Sequence, residues 1–88
     1  MPDARLDKLR YRAWRRGFVE ADLILGGFAD ARLESLAPHE VDAFERLLDQ
    51  PDPDIWDWLV FQAPAPTAID RGLLAQIRAF RVSEAPRR

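Results

Sequence analysis

The chain has no cysteine, a single histidine, four glycines and no long apolar run. The absence of cysteine excludes disulfides, thiolate catalysis and cysteine-ligated zinc, and it fits a reducing compartment. No apolar segment approaches the ~20 residues that a membrane-spanning helix needs. No apolar signal segment follows the charged amino terminus. We therefore expect a cytoplasmic protein with no direct membrane insertion.

The residues that usually carry chemistry are also sparse. The glycines form neither a dinucleotide-binding nor a phosphate-binding loop, so no tightly bound nucleotide cofactor is predicted. His39 follows a proline at a predicted helix start and has no recognisable catalytic or metal-binding partners, which favours a surface role. Asp52, Asp54 and Asp57 lack the spacing of a calcium loop and are better explained by helix capping. The sequence thus predicts no catalytic residue and no metal site.

The composition is that of one small folded domain. Residues 1–88 are too few for two domains, and a hydrophobic content of 48% is enough for a compact core. The net charge is −2 with 32% charged residues, a balance that does not predict general nucleic-acid binding. We expect a single domain that is monomeric when free.

Charge is unevenly distributed along the chain. Residues 1–16 hold six basic groups against two acids, a net charge of +4. Residues 17–57 hold eleven acids against two arginines, a net charge of −9. The distribution predicts an electrically polarised molecule. The basic first segment fits a solvated helix face, a protein-docking face or a surface for nucleic acid or lipid, but the acidic middle would repel the last two.

Apolar residues recur at helical spacing in five segments, and none shows the alternation of a strand. The predicted fold is an all-α, compact five-helix bundle. The helices are expected at residues 3–15 with Asp3 near the N-cap, at 19–31, at 38–49, from an Asp52 cap through Phe61, and from a Thr67 cap through Phe80. Residues 83–88 are expected to be a frayed tail.

Two features of these helices leave alternatives open. Gly26 and Gly27 fall in the middle of the second helix and should weaken or bend it, unless another helix packs closely there or the segment is a turn. Trp56 and Trp58 are two positions apart and point to different sides of a helix. Trp58 aligns with the inward face, whereas Trp56 covers a loop or contacts a partner.

The densest polar cluster is residues 15–22, RRGFVEAD. Glu20 and Asp22 are two positions apart on a helix and do not face each other, which argues against paired acid catalysis. Arg16 and Glu20 are four positions apart, so they can pair across a tight turn at Gly17. From the residues alone, this segment is either a structural helix corner or a binding site.

Two segments resemble the signatures of a known family. Residues 16–20, RGFVE, followed by Asp22, are similar to the R-G-x-x-E-x-D signature of the small succinate dehydrogenase flavin assembly factors. Residues 47–59, LLDQPDPDIWDWL, resemble the second signature of that family, a leucine pair followed by D-P-D and a tryptophan. The resemblance covers about residues 5–80. Ala37 departs from it, because a polar capping residue is usual before the third helix.

The resemblance implies a five-helix protein that binds the flavoprotein subunit of succinate dehydrogenase, and in some members that of fumarate reductase. Such a protein promotes covalent attachment of FAD to a histidine of the subunit, and FAD is the client's cofactor. This is an assembly factor without catalytic residues of its own. Other interpretations are a helical adaptor, a toxin-neutralising module or a nucleic-acid regulator. The partner-binding residues expected by position are Arg16, Gly17, Glu20, Asp22, Asp52, Asp54 and Trp58. Arg15 and Trp56 are added to this expected set.

Overall fold

Five α-helices form the protein, as predicted, and no strand occurs among the described residues. The computed structural model describes residues 4–15, 17 and 19–84, with the side chains of 81–84 excepted. The helices are α1 (Ala4–Trp14), α2 (Val19–Arg32), α3 (Pro38–Leu48), α4 (Asp52–Leu59) and α5 (Arg71–Glu84), and a 3₁₀ turn (Leu33–Ser35) follows α2.

The core is aliphatic and aromatic, and its centre is Phe28 of α2. The ring of Phe28 lies 5.9 Å from that of Phe44 in α3 and 5.7 Å, edge-on, from that of Phe80 in α5. Leu25 and Ile77 are fully buried beside them. Burial of each such side chain stabilises the fold by about 1.5–3 kcal/mol. Because Phe28 packs against rings of both α3 and α5, these contacts fix the position of α2 in the bundle.

The paired glycines of α2 mark a close contact with another helix. The alternative prediction, that this segment is a turn, is wrong. α2 runs unbroken through Gly26 and Gly27. A Cβ atom at Gly26 would lie 2.2 Å from Cδ2 of Trp14, so only glycine leaves room for the indole of α1. The indole Nε1 also donates a hydrogen bond to Asp30 Oδ2 at 3.1 Å. Trp14 therefore fixes the crossing of α1 over α2.

Ion pairs join the basic first helix to the acidic third. Arg5 Nη2 lies 2.6 Å from Asp42 Oδ1 and 2.8 Å from Glu45 Oε1, and Arg12 Nη2 lies 2.6 Å from Asp49 Oδ1. The hydrogen bond from Arg5 lowers the pKa of Asp42. Exposed pairs of this kind contribute at most about 1 kcal/mol each. Part of the predicted charge polarisation is therefore neutralised by ion pairs between the basic first segment and the acidic middle of the chain.

The start of α3 is capped without a polar N-cap residue. Ala37 occupies the N-cap position, and its backbone N–H donates to Glu40 Oε1 at 2.8 Å. The other carboxylate oxygen of Glu40 accepts a hydrogen bond from Gln76 Nε2 of α5 at 2.7 Å. These two bonds, the backbone one first, lower the pKa of Glu40. Glu40 thus replaces the missing cap and links α3 to α5.

The fourth helix differs from its predicted bounds at both ends. Pro51 occupies the N-cap position and Asp52 is the first helical residue, so the prediction of Asp52 as the cap is wrong by one position. α4 ends at Leu59, so Phe61 lies beyond the helix, with 69% of its surface exposed.

The fifth helix is capped by Asp70, and the prediction of Thr67 as its cap is wrong. Asp70 Oδ1 accepts a hydrogen bond from the backbone N–H of Leu73 at 2.9 Å, the usual N-cap interaction. α5 continues through Glu84, two residues into the predicted frayed tail. The rest of that tail, and the predicted cap Asp3, lie outside the described residues.

Candidate functional site

The connection between α1 and α2 is built around Gly17. Its φ angle is +88°, in the left-handed region where glycine carries no steric penalty. Apart from the chain neighbours of Gly17, none of the described atoms lies within 4 Å of the position that a Cβ atom would take. The glycine is therefore required by the backbone angle, and the space above it is open.

Of the two arginines that precede Gly17, the structure describes only Arg15. The guanidinium of Arg15 lies 4.7 Å from the ring centroid of Tyr11, a cation–π contact along the exposed side of α1. Arg15 also extends the last turn of α1, because its N–H donates to the carbonyl of Arg12 at 3.2 Å. Arg16 and Phe18 lie outside the described residues. The predicted pair between Arg16 and Glu20 stays a prediction.

Both predicted carboxylates lie in the first turn of α2. Glu20 is exposed and Asp22 is half-buried. Acidic groups at this end are favoured by the helix dipole. Ala21, between them in the chain, is buried in the core. The two carboxylates therefore project to either side of a buried position, as expected of residues two apart.

An exposed apolar pair lies between these carboxylates and was missed by the sequence analysis. Val19 is 69% exposed and Leu23 is 58% exposed. At about 100° per residue, Val19 and Leu23 fall on one helix face, with Glu20 on one side and Asp22 on the other. We call the surface of Gly17, Val19, Glu20, Asp22 and Leu23 the corner surface.

The second signature runs from the end of α3 through α4, and its leucines, Ile55 and Trp58 are buried. Trp58 is only 6% exposed and packs in the core, which confirms the inward orientation predicted for it. With so little of its side chain exposed, Trp58 offers almost no surface for a partner to contact. Asp52 and Trp56 are half-buried, and Asp54 is exposed in the first turn. α4 packs against both α2 and α5.

Arg78 of α5 completes the end of α4, and no sequence signal pointed to it. Its Nε donates to the carbonyl oxygen of Trp58 at 2.8 Å, and its Nη2 donates to the same oxygen. The last carbonyls of a helix have no partner within the helix, and a cation at that end also favours the helix dipole. Arg78 therefore stabilises α4 and is itself held in a fixed position.

Two features are absent from the described part of the chain, a metal-binding cluster and a membrane-spanning helix. No group of three or more histidine, cysteine or acidic side chains there is placed to hold a metal ion. Within the same part, no helix has the length and apolar character needed to cross a bilayer.

The described residues thus define a small all-α protein with a mixed apolar and acidic surface at a helix corner. The family described as "Flavinator of succinate dehydrogenase" matches residues 7–81 of this sequence. Since this match covers most of the chain, the chain belongs to that family.

Individual relatives agree with the family match. The FAD assembly factor SdhE of Acetobacter pasteurianus is 38% identical over 63 residues, which cover 72% of this chain and 58% of the relative. The corresponding factor of Coxiella burnetii is 43% identical over 53 residues, 60% of this chain and 63% of the relative. The mitochondrial succinate dehydrogenase assembly factor 2 of Dictyostelium discoideum is 35% identical over 71 residues, 81% of this chain and 50% of the relative.

The chain spans about half to two thirds of the length of these three relatives. No solved structure is significantly similar to it.

Proposed function

We propose that this chain binds the flavoprotein subunit of succinate dehydrogenase and promotes covalent attachment of FAD to that subunit. One observation carries the proposal. The glycine and both carboxylates of the R-G-x-x-E-x-D signature lie at an exposed helix corner, where a left-handed backbone leaves open space above Gly17. Family membership supports the choice of client, since the matching family is described as the flavinator of that enzyme.

The corner surface has the composition of a protein-binding surface. Val19 and Leu23 supply an exposed apolar centre, and burial of each contributes up to about 1–2 kcal/mol. Glu20 and Asp22 flank this centre and attract basic groups of the client. Gly17 lets the client backbone approach closely, because no side chain stands above it. Apolar contacts then provide affinity, and the carboxylates fix the orientation.

The chemistry of flavin attachment belongs to the client and its cofactor. The client supplies the histidine and FAD supplies the reacting ring, so the factor needs no catalytic residue of its own. A protein that binds one client conformation more tightly than another raises the population of that conformation. A hundredfold preference shifts the equilibrium by about 2.7 kcal/mol. We infer that the corner surface favours the client conformation in which histidine and flavin meet.

The remaining details of the role are also proposals. The chain acts as a monomer, holds no tightly bound cofactor, and serves the fumarate reductase flavoprotein as a second client. Its cytoplasmic location stays a prediction, because several similar proteins are designated mitochondrial.

Reconstitution of the apo flavoprotein subunit with FAD tests the proposal. Covalent flavin is read as fluorescence of the denatured subunit on a gel, with and without this chain. We expect Glu20→Ala and Leu23→Asp to abolish the increase in covalent flavin while circular dichroism stays unchanged. Glu34→Ala is the control, because it removes an exposed acid from the 3₁₀ turn, away from the corner surface.

Two results would contradict the proposal. The first is wild-type chain that leaves covalent flavin at the level seen with FAD alone. The second is normal covalent flavin with both corner variants, which would place the client contact elsewhere.

A further inference from the structure

A second surface of opposite charge lies between α5 and the non-helical segment of residues 62–65 that precedes it. Residues 62–65 form one wall of a cleft of about 330 Å³, and Arg71, Leu74 and Arg78 form the other. The three α5 residues are spaced by three and four positions, so they share one helix face. The helical wall of the cleft therefore carries a guanidinium group at each end.

The cleft carries uncompensated positive charge. Among the described residues, no carboxylate lines it, and neither Arg71 nor Arg78 takes part in an ion pair. Arg71 is exposed, whereas Arg78 is half-buried and held by the carbonyl oxygen of Trp58. Because Arg78 is already fixed, less side-chain entropy is lost when it binds an anion. Its Nη1 is not used in that contact and remains available for an anionic group.

The opposite wall favours recognition of a ligand through its side chains. Residues 62–66 have no helical or strand structure, and Pro64 and Pro66 have no N–H to donate. Backbone pairing of a strand along this wall is therefore disfavoured, and recognition depends on side chains. Phe61, which precedes this segment in the chain, has an exposed aromatic ring. Arginine binds carboxylates through two parallel hydrogen bonds.

We propose that this cleft binds an acidic segment of the same flavoprotein client. The inference rests on the proposed function and adds a second contact to it. The corner surface is acidic and the cleft is basic, and α2, which carries the corner, packs against both α4 and α5. Two contacts of opposite sign on one framework allow a client to dock in only one orientation.

Site-specific crosslinking tests where the client lies. The chain has no cysteine, so Gln62→Cys introduces a unique attachment point for a photo-crosslinker at the cleft rim. We expect this variant to crosslink to a client segment rich in aspartate and glutamate. Arg46→Cys, at an exposed position of α3, is the matched control and should not crosslink. A crosslink from Leu23→Cys without one from Gln62→Cys would overturn the cleft proposal, as would a crosslinked segment without acidic residues.

Charge reversal tests the energetics. We expect Arg71→Glu to weaken the affinity for the client flavoprotein at least tenfold at low salt, with the loss shrinking as salt rises. Arg46→Glu changes the net charge equally and should leave the affinity within about twofold, the result for a mutation outside the contact. If both variants bind equally well, the cleft proposal fails while the proposed function stands. If the wild-type chain does not bind the client, both fail.

Discussion

The backbone angle of Gly17 allows its structural and functional roles to be separated. A residue with a Cβ atom pays about 1–2 kcal/mol in the left-handed region, and asparagine tolerates that region better than alanine. Because the Cβ position meets no described atom within 4 Å beyond the chain neighbours, no packing clash adds to this cost. Gly17→Ala should therefore lower the free energy of unfolding by about 1 kcal/mol, and Gly17→Asn by less than half of that.

The two variants should behave differently in flavin attachment. Both place a side chain in the open space above the corner surface, where the client backbone is proposed to approach. Gly17→Asn retains the fold and the backbone angle, yet its larger side chain blocks that approach more strongly. We expect it to need at least tenfold more protein for half-maximal covalent flavin, a loss of about 1.4 kcal/mol in client affinity. The more stable variant should thus be the less active one.

Two measurements check this order. Thermal unfolding gives the stability, and for a chain of this size 1 kcal/mol corresponds to about 4–8 °C in Tm. Titration of each variant into apo flavoprotein with FAD gives the half-maximal concentration for covalent flavin. If Gly17→Asn matches wild type in this titration, the proposed close approach of the client backbone to Gly17 is refuted. Gly17 would then have only a local backbone role.

Three further predictions concern the fold that supports the site. In urea unfolding, Gly26→Ala should lower the free energy of unfolding by about 1–3 kcal/mol, because its Cβ displaces the Trp14 indole of α1. Gly27→Ala should raise the free energy of unfolding by up to about 1 kcal/mol, since its Cβ would lie at an ordinary contact distance of 3.6 Å from the Phe80 ring. Equal shifts would contradict this. Asp70→Ala should cost about 1 kcal/mol and Thr67→Ala almost nothing; the reverse order would restore the sequence-based cap. The stability advantage of wild type over Glu40→Gln should be constant above pH 4.5 and shrink below it, because the pKa of Glu40 is lowered from 4.5 in the folded state; an advantage unchanged at pH 3 would contradict this.

Helical periodicity predicted the number and order of the helices because each buries one apolar stripe. The helix ends were less predictable, since several polar residues near a boundary can act as the cap. Thr67 and Asp70 both suit the N-cap role by type, and only the geometry shows that Asp70 accepts the bond from Leu73. At the start of α4 the N-cap is Pro51, one position before the predicted Asp52, and no side chain caps the helix there.

Long-range contacts explain what the sequence left open or did not reveal. The glycine pair of α2 was compatible with a bend or a close contact, and the residue that decides between them is Trp14, twelve positions before Gly26. Arg78 lies twenty positions after the carbonyl it binds. Neither pairing follows from local spacing. The exposure of Leu23 was locally encoded, because it falls outside the buried repeat of Ala21, Leu25 and Phe28, and a stricter count of helix faces would have found it.

The two signature segments differ in how they relate stability to function. Glu20 and the open space above Gly17 lie at the surface, so substitutions there can remove client contacts while the core stays intact. Trp58 lies in the core, and its carbonyl oxygen holds Arg78 at the basic cleft. A substitution that displaces Trp58 would therefore disturb the packing of α4 and the cleft together. Loss of flavin attachment without loss of stability is expected only for the first segment, which makes the corner surface the place where client binding can be measured free of folding effects.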